Sequence, residues 1–302
     1  MYEYNGQEER GNGTMFTTRN KVWWGLGSLC LVLTVGFVLV GGWANGSDGG
    51  EQEVSFGEVS VHDPSVVKDG ETYYIFGSHL ASAKSDDLMH WEQVSTQVSD
   101  DNPLIPNVYE ELAEAFEWAE TDTLWAADVI QLEDGNYYMY YNACKGDSPR
   151  SVMGVAVADD IEGPYRDLGI FLKSGMWGEE SEDGTIYDAQ IHPNVVDPHV
   201  FFDKDGLLWM VYGSYSGGIF IMEMNPQTGK PFPGQGYGKH LMGGNHSRIE
   251  ALIFCTAQRP NTIICTLRLV VSMPWAVTIC VWRAQNLQKD LTLMRKAMRW
   301  NR

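Results

Sequence analysis

Acidic side chains that recur at similar places along the chain are the residues best suited to chemistry. Asp63, Asp128 and Asp197 each stand at the beginning of a short apolar segment, and successive members are 65 and 69 residues apart. Asp63 and Asp197 are also each followed by a proline. An isolated aspartate at such a place usually caps a turn, whereas three at matching places argue for a shared site.

Several carboxylates gathered at one site are suited to the hydrolysis of glycosidic bonds. That reaction needs a protonated carboxyl to donate to the leaving oxygen and an ionised carboxylate to activate water or attack the sugar. A third carboxylate can adjust the pKa of the acid. The formal net charge of −19 at pH 7 excludes a nucleic-acid partner, because so acidic a chain repels phosphate backbones.

The elements that position these aspartates form a repeat. Each aspartate is followed by a short apolar strand, a D-G turn and a second, aromatic-rich strand, and the turns fall at 69–70, 134–135 and 205–206. Such turns predict β-hairpins. With further strands between the hairpins, the repeat predicts an all-β protein, a β-propeller whose inner strands bring the aspartates to one mouth. Residues 109–120 form at most a short helix in a loop.

Four segments carry a family resemblance. They are "HDPSVV" (62–67), "WAADV" (125–129), "VDPHVFFD" (196–203) and "SRIEA" (247–251). In this order they resemble the successive blade motifs of glycoside hydrolase family 43, and they are most similar to those of its endo-1,5-α-L-arabinanases. The resemblance implies a five-bladed propeller of inverting enzymes, of which this chain holds about three blades and the start of the fourth.

The resemblance also implies roles for individual residues. Asp63 matches the general base, Glu250 the general acid, and Asp197 the carboxylate that modulates the pKa of the acid. Inversion requires base and acid to stand about 6.5–9.5 Å apart, which leaves room for water. Residues expected to bind sugar or to support the catalytic groups are His62, Trp125, Asp128, His199 and Tyr215. Glu162 is expected to be a solvated turn residue.

The implied substrate is a plant cell-wall polysaccharide, arabinan or arabinoxylan. No metal or other cofactor is required by the mechanism, although many relatives hold an axial calcium through a histidine of a late blade. Two alternatives stay open. One is an exo-acting β-xylosidase or α-L-arabinofuranosidase of the same family, and the other is a non-catalytic carbohydrate-binding propeller.

The N-terminal region predicts export. Residues 1–21 form a leader, and 22–44 contain an uncharged apolar run that predicts a signal peptide or a membrane anchor. A linker at 45–56 then precedes the incomplete catalytic propeller, 57–250. The expected location is secreted, or extracellular and anchored in the membrane through residues 22–40.

The last 52 residues, 251–302, differ in character from the rest of the chain. All 32 glycines and all 14 tyrosines lie at or before Glu250, and the tail carries 8 Lys/Arg against a single acid, Asp290. Insertion of one nucleotide near codon 251 would let the tail read as a propeller segment; for example, the junction of Trp275 and Ala276 then necessarily encodes glycine. We therefore predict a frameshifted, non-native tail that impairs folding and activity.

Overall fold

A computed structural model describes residues 59–175, 178–181, 184–256, 263–270 and 277–283, and from residue 251 onward it describes the backbone alone. The predicted leader, export segment and linker, residues 1–56, lie outside these ranges. In the part of the chain that is described, no helix is long and apolar enough to cross a membrane.

Three four-stranded antiparallel sheets follow one another, and within each the strands pair in sequence order. Sheet 1 comprises β1 (Ser65–Asp69), β2 (Thr72–Phe76), β3 (Ser82–Ser85) and β4 (Glu92–Ser95). Sheet 2 comprises β5 (Asp128–Gln131), β6 (Tyr137–Cys144), β7 (Ser151–Ala158) and β8 (Arg166–Lys173). Sheet 3 comprises β9 (His199–Phe202), β10 (Leu208–Tyr212), β11 (Ile219–Met224) and β12 (Lys239–Met242). The prediction of an all-β protein is confirmed.

Two short helices, α1 (Val108–Glu111) and α2 (Ala113–Ala119), lie in the connection between sheets 1 and 2. They fall where the sequence predicts a short helix in a loop. Their apolar side chains Val108, Leu112 and Phe116 belong to the same buried cluster as residues of sheets 1 and 2. The helices therefore extend the core between these two sheets.

The D-G turns close the first hairpin of each sheet. Gly70, Gly135 and Gly206 adopt φ values of 56°, 86° and 77°. A side chain at these glycines would meet nothing within 4 Å, so the positive φ, and not a lack of space, favours glycine there. The three predicted hairpins are confirmed.

Strand β6 shows how consecutive sheets share the core, because all eight of its residues are buried. Alternate side chains of a strand point to opposite faces of its sheet. Tyr137, Met139 and Tyr141 belong to the cluster that includes residues of sheet 1. Tyr138 and Tyr140 belong to the cluster that includes residues of sheet 3. Sheet 2 is therefore covered on both faces, and the three sheets pack face to face in series.

The first strand of each sheet contacts the first strand of the next: β1 contacts β5, β5 contacts β9, and β9 contacts β13 (Glu250–Thr256), which opens a fourth sheet. The predicted catalytic carboxylates all stand at or just before the beginning of one of these inner strands. This series of contacts brings the beginnings of the strands together.

The fourth sheet begins at Glu250 and continues into the residues that we predict to be a non-native tail. Its backbone comprises β13, β14 (Ile263–Val270) and β15 (Val277–Arg283), paired antiparallel in sequence order. The composition of β14 and β15 accounts for this, because both are rich in isoleucine, valine and threonine, which favour strands. Among the described residues, this sheet has three strands where the other sheets have four.

Candidate active site

Asp63 lies two residues before β1, in a segment with defined backbone geometry. Its φ is 49°, in the left-handed region that aspartate tolerates better than most residues. The carbonyl of His62 accepts a hydrogen bond from the amide of Ser78 (2.9 Å), which holds this segment to the end of β2. The side chain of Asp63 is 28% exposed, and its Oδ2 lies 2.7 Å from Nδ1 of His62. Asp63 thus presents a fixed but solvent-accessible carboxylate.

Asp197 repeats this placement two residues before β9. Its φ is 56°, it precedes Pro198, and the carbonyl before it, that of Val196, accepts a hydrogen bond from the amide of Gly213 (2.8 Å). Burial, together with the negative charge of Glu250, raises the pKa of Asp197 from 3.8 to about 7, while a hydrogen bond from Ser214 opposes the rise. Asp197 therefore keeps its proton to a higher pH than an ordinary carboxyl, and Glu250 lies near enough for its charge to contribute to this shift.

Glu250 is the first residue of β13, and Tyr215 holds it in place. The Tyr215 amide donates to the carbonyl of Ile249 (2.8 Å), and Glu250 lies near enough to act electrostatically on the Tyr215 hydroxyl. Burial, with the charge and hydrogen bond of Glu250, raises the pKa of Tyr215 above its usual value of 10.0. The hydroxyl is consequently a neutral donor over the working pH range of most hydrolases.

Asp128 is placed differently from the other two aspartates. It is a member of β5, opposite Tyr140, and only 3% exposed. Its Oδ2 accepts a hydrogen bond from the amide of Val200 (2.6 Å) and lies 3.4 Å from Nδ1 of His199. Pro64 and Pro198 have no amide to donate to a ladder, so β1 and β9 begin after them, whereas Asp128 is followed by valine and joins its strand. Asp128 therefore ties β5 to β9.

The remaining predicted residues surround these carboxylates to different degrees. His62 is largely exposed, at 72% of its side chain, beside Asp63. Trp125 is partly buried, and its amide donates to the carbonyl of Asn142 (2.9 Å). The ring of His199 stacks on that of Phe201, with centroids 5.7 Å apart. His199 therefore contacts both Asp128 of β5 and Phe201 of its own strand, β9.

Two features were missed from the sequence. Ser214, which hydrogen-bonds Asp197, follows Gly213 after β10. The same Gly-Ser pair follows β2 at 77–78, and this repetition in the sequence could have identified Ser214 as a site residue. Glu162 was expected to be a solvated turn residue, but its Oε1 accepts hydrogen bonds from Tyr74 Oη (3.1 Å) and Lys84 Nζ (2.9 Å). This expectation is wrong, because the turn before β8 lies against sheet 1.

A search of the described residues for three or more His, Cys, Asp or Glu side chains that could hold a metal ion finds no such group. The axial histidine that the resemblance assigns to relatives belongs to a blade later than the sheets described.

The chain is similar to known proteins. The family model "Glycosyl hydrolases family 43" matches residues 55–235. An extracellular endo-α-(1→5)-L-arabinanase 2 of Bacillus subtilis is 76% identical over 199 residues, which are 66% of this chain and 42% of the relative. An extracellular endo-α-(1→5)-L-arabinanase of Thermotoga petrophila is 56% identical over 204 residues, covering 66% of this chain and 43% of the relative.

Solved structures show the same likeness. A family 43 glycoside hydrolase, the YxiA protein of Bacillus licheniformis, superposes with a TM-score of 0.68 at 68% identity, over 70% of this chain and 48% of that chain. An endo-1,5-α-L-arabinanase from Thermotoga petrophila superposes with a TM-score of 0.67 at 54% identity, over 69% of this chain and 47% of that one. The chain thus spans less than half the length of these relatives. The match to the family model, which covers more than half of this sequence, shows that the chain belongs to family 43 of the glycosyl hydrolases.

Proposed function

We propose that this protein is an exported, inverting endo-1,5-α-L-arabinanase, in which Asp63 is the general base, Glu250 the general acid and Asp197 the modulator of its proton. The observation that carries the proposal is the placement of Asp197 near Glu250, whose charge together with burial raises the pKa of Asp197 to about 7, while Asp63 stands more accessible before the first inner strand. The repeated sheets are proposed to be blades of the five-bladed propeller.

Asp197 and Glu250 together supply the proton for general-acid catalysis. Two neighbouring carboxylates do not both ionise readily, and burial disfavours the charged form further, so one proton stays on the pair at a pH where an isolated carboxyl has lost it. Glu250 passes this proton to the oxygen of the leaving sugar as the glycosidic bond breaks. The neighbouring Asp197 carboxyl keeps the proton on the pair until that transfer, and it keeps Glu250 in the correct orientation.

Asp63 activates the attacking water, on the face of the sugar opposite the leaving group. A water molecule loses its proton to the Asp63 carboxylate as its oxygen attacks the anomeric carbon, from the face opposite the leaving group. The exposure of Asp63 gives water access, and the contact with His62 restricts the direction in which the carboxylate points. Single displacement by water inverts the configuration at that carbon.

The names of the relatives support arabinan as the substrate and endo as the mode of cleavage, and both named arabinanases above are described as extracellular. The predicted signal at 22–44 supports export of this chain. An exo-acting enzyme is the second candidate, because an extracellular exo-α-(1→5)-L-arabinofuranosidase of Cellvibrio japonicus is 25% identical over 185 residues. Impairment of the chain as written remains part of the proposal, since its composition changes abruptly after Glu250.

The test is hydrolysis of linear α-1,5-arabinan, with chromatographic analysis of the products, by the frame-restored chain, in which one nucleotide is inserted near codon 251. Early release of oligosaccharides of several lengths indicates endo cleavage, whereas release of a single short product indicates exo cleavage. Asp63→Ala is expected to lower kcat by about 10²- to 10⁴-fold and to leave arabinan binding intact. Binding of arabinan with no turnover by the frame-restored chain would favour the carbohydrate-binding alternative.

A matched control is available in the same sheet. Glu71 is 97% exposed and lies at the D-G turn, at the other end of β1 from Asp63. Glu71→Ala removes a carboxylate of similar size from the same hairpin and should leave kcat unchanged. Retention of full turnover by Asp63→Ala in the frame-restored chain would reject the base assignment.

A further inference from the structure

The connection from β8 to β9 presents two exposed side chains from a fixed backbone. The amides of Ile191 and His192 both donate to the carbonyl of Asp188 (3.1 and 2.8 Å), so residues 188–192 form a single helical turn. The backbone amide of Gln190 donates to Oδ1 of the same aspartate (2.9 Å). His192 is buried, whereas Gln190 and Ile191 are exposed.

Backbone hydrogen bonds join this turn to the chain that leads into Glu250. The carbonyl of Gln190 accepts from the amide of Asn245 (2.7 Å), five residues before Glu250. The carbonyl of His192 accepts from the amide of Gly217 (2.9 Å), in the segment that follows β10. A Cβ at Gly217 would come within 2.4 Å of that carbonyl oxygen, so glycine is needed for this close approach. The turn therefore has a fixed place beside the segment that bears the proposed acid.

The facing turn, between β12 and β13, is held in a similar way. Asn245 and His246 adopt φ values of 51° and 54°, and both residues are exposed. The His246 amide donates to the carbonyl of Ser216 (2.9 Å), which also lies in the segment after β10. The four exposed residues of the two turns form what we call the acid-side rim: Gln190, Ile191, Asn245 and His246.

The composition of the acid-side rim suits a neutral sugar. None of its four residues is acidic, although the chain as a whole carries a formal net charge of −19. The side-chain amides of Gln190 and Asn245 can each donate to and accept from sugar hydroxyls, and the aliphatic side chain of Ile191 can cover the C–H face of a furanose ring. Because the backbone of the rim is already held in place, little conformational entropy is lost when a ligand binds.

We propose that the acid-side rim binds the arabinose unit on the leaving-group side of the cleaved bond, with Ile191 packed on its ring and Gln190 and Asn245 hydrogen-bonded to its hydroxyls. This inference rests on the proposed function, in which the oxygen of the leaving sugar receives its proton from Glu250. The rim is hydrogen-bonded to the segments beside Glu250, whereas Asp63 belongs to sheet 1. The rim thus determines how strongly the chain beyond the cleaved bond is held, and not the chemistry of the bond.

The same connection supplies a matched control. Ile186 and Ile191 are each 62% exposed and lie five residues apart. Ile186 pairs with Glu180 in an isolated bridge within the connection from β8 to β9. Replacement of either isoleucine by serine removes the same apolar surface, and at exposed positions of this kind it should leave the stability of the fold nearly unchanged. A difference between the two variants therefore reports on the rim.

The test measures binding and does not need turnover. Isothermal titration calorimetry compares linear arabinohexaose with arabinobiose on the frame-restored chain that carries Asp63→Ala, which leaves the ligands intact. Ile191→Ser is expected to weaken binding of the hexaose by about 5- to 30-fold, because apolar surface buried against the sugar is lost. Gln190→Ala should weaken it by about 3- to 10-fold through a lost hydrogen bond.

Arabinobiose can bind clear of the rim, so its affinity should change by less than about twofold in either rim variant, and Ile186→Ser should change neither affinity. Equal affinities of Ile191→Ser and Ile186→Ser for the hexaose would overturn the proposal, as would a loss of the same size for both ligands. Circular dichroism first checks that each variant retains the β-sheet signal. If the parent chain binds no arabino-oligosaccharide, the proposed function fails together with the rim, whereas a parent that binds them with an affinity independent of Ile191 and Gln190 refutes the rim alone.

Discussion

Replacement of Asp197 by asparagine should stabilise the folded chain at alkaline pH while it removes activity. The folded-state pKa of about 7 lies above the ordinary value of 3.8, so the folded state binds the proton more tightly than the unfolded state. The stabilisation that the Asp197 carboxyl contributes is fully present below about pH 4 and falls as pH rises toward 7. Above pH 7 the free energy of unfolding no longer changes through this group. The rise corresponds to at most about 4 kcal/mol, shared with Glu250 because the two carboxyls titrate as a pair.

The amide side chain of asparagine cannot ionise, so Asp197→Asn should be more stable than the unsubstituted chain by about 2 to 4 kcal/mol at pH 8.5 and by about 1 kcal/mol or less at pH 4.5. Urea unfolding, followed by tryptophan fluorescence at both pH values, measures this difference, and kcat on arabinan should fall by about 10²-fold or more. A stability difference that is the same at the two pH values would show that Asp197 keeps an ordinary pKa, and would refute the coupling with Glu250.

Two further predictions concern the sheets. Asp128→Ala leaves the buried amide of Val200 without its acceptor and should lower the free energy of unfolding by about 1–3 kcal/mol. Asp128→Asn and the exposed control Asp122→Ala should lower it much less. A large loss of kcat without loss of stability would instead place Asp128 in the catalytic machinery. Sequencing of the gene should show a missing nucleotide at codons 248–256, and its insertion should raise both soluble yield and arabinanase activity. An intact frame in many independent reads, or full activity of the 302-residue chain, contradicts that prediction.

The parts of the fold that sequence reasoning predicts well depend on local chemistry. A D-G pair between apolar runs needs only its own backbone preference to turn the chain, and each such pair forms the expected hairpin. The places of Asp63 and Asp197 follow from similarly local features, since each precedes a proline that cannot join a ladder. The same rule, applied to Asp128, distinguishes it from the other two, because a valine follows it.

Features that depend on contacts between sheets were not predictable in the same way. Glu162 resembles a solvated turn residue until the turn is placed beside Tyr74 and Lys84 of sheet 1. The strands of the fourth sheet show the converse limit: isoleucine and valine favour extended backbone whatever the origin of the sequence, so the loss of glycine and tyrosine after Glu250 did not prevent strand formation there.

Comparison of the turns after β2 and β10 separates what the repeated architecture provides from what the site requires. In both turns the amide of a left-handed residue, His79 or Tyr215, donates at 2.8 Å to a carbonyl that precedes the inner strand of the next sheet: Leu124 ahead of β5, and Ile249 directly before β13. This contact joins successive sheets, and the ring of His79 contacts Thr123. At Tyr215 the same backbone contact binds the carbonyl directly before Glu250, the proposed general acid. The repeated link therefore lies beside a proposed catalytic carboxyl at only one of the two turns, so equivalent backbone positions of the repeats differ in the side chains that surround them.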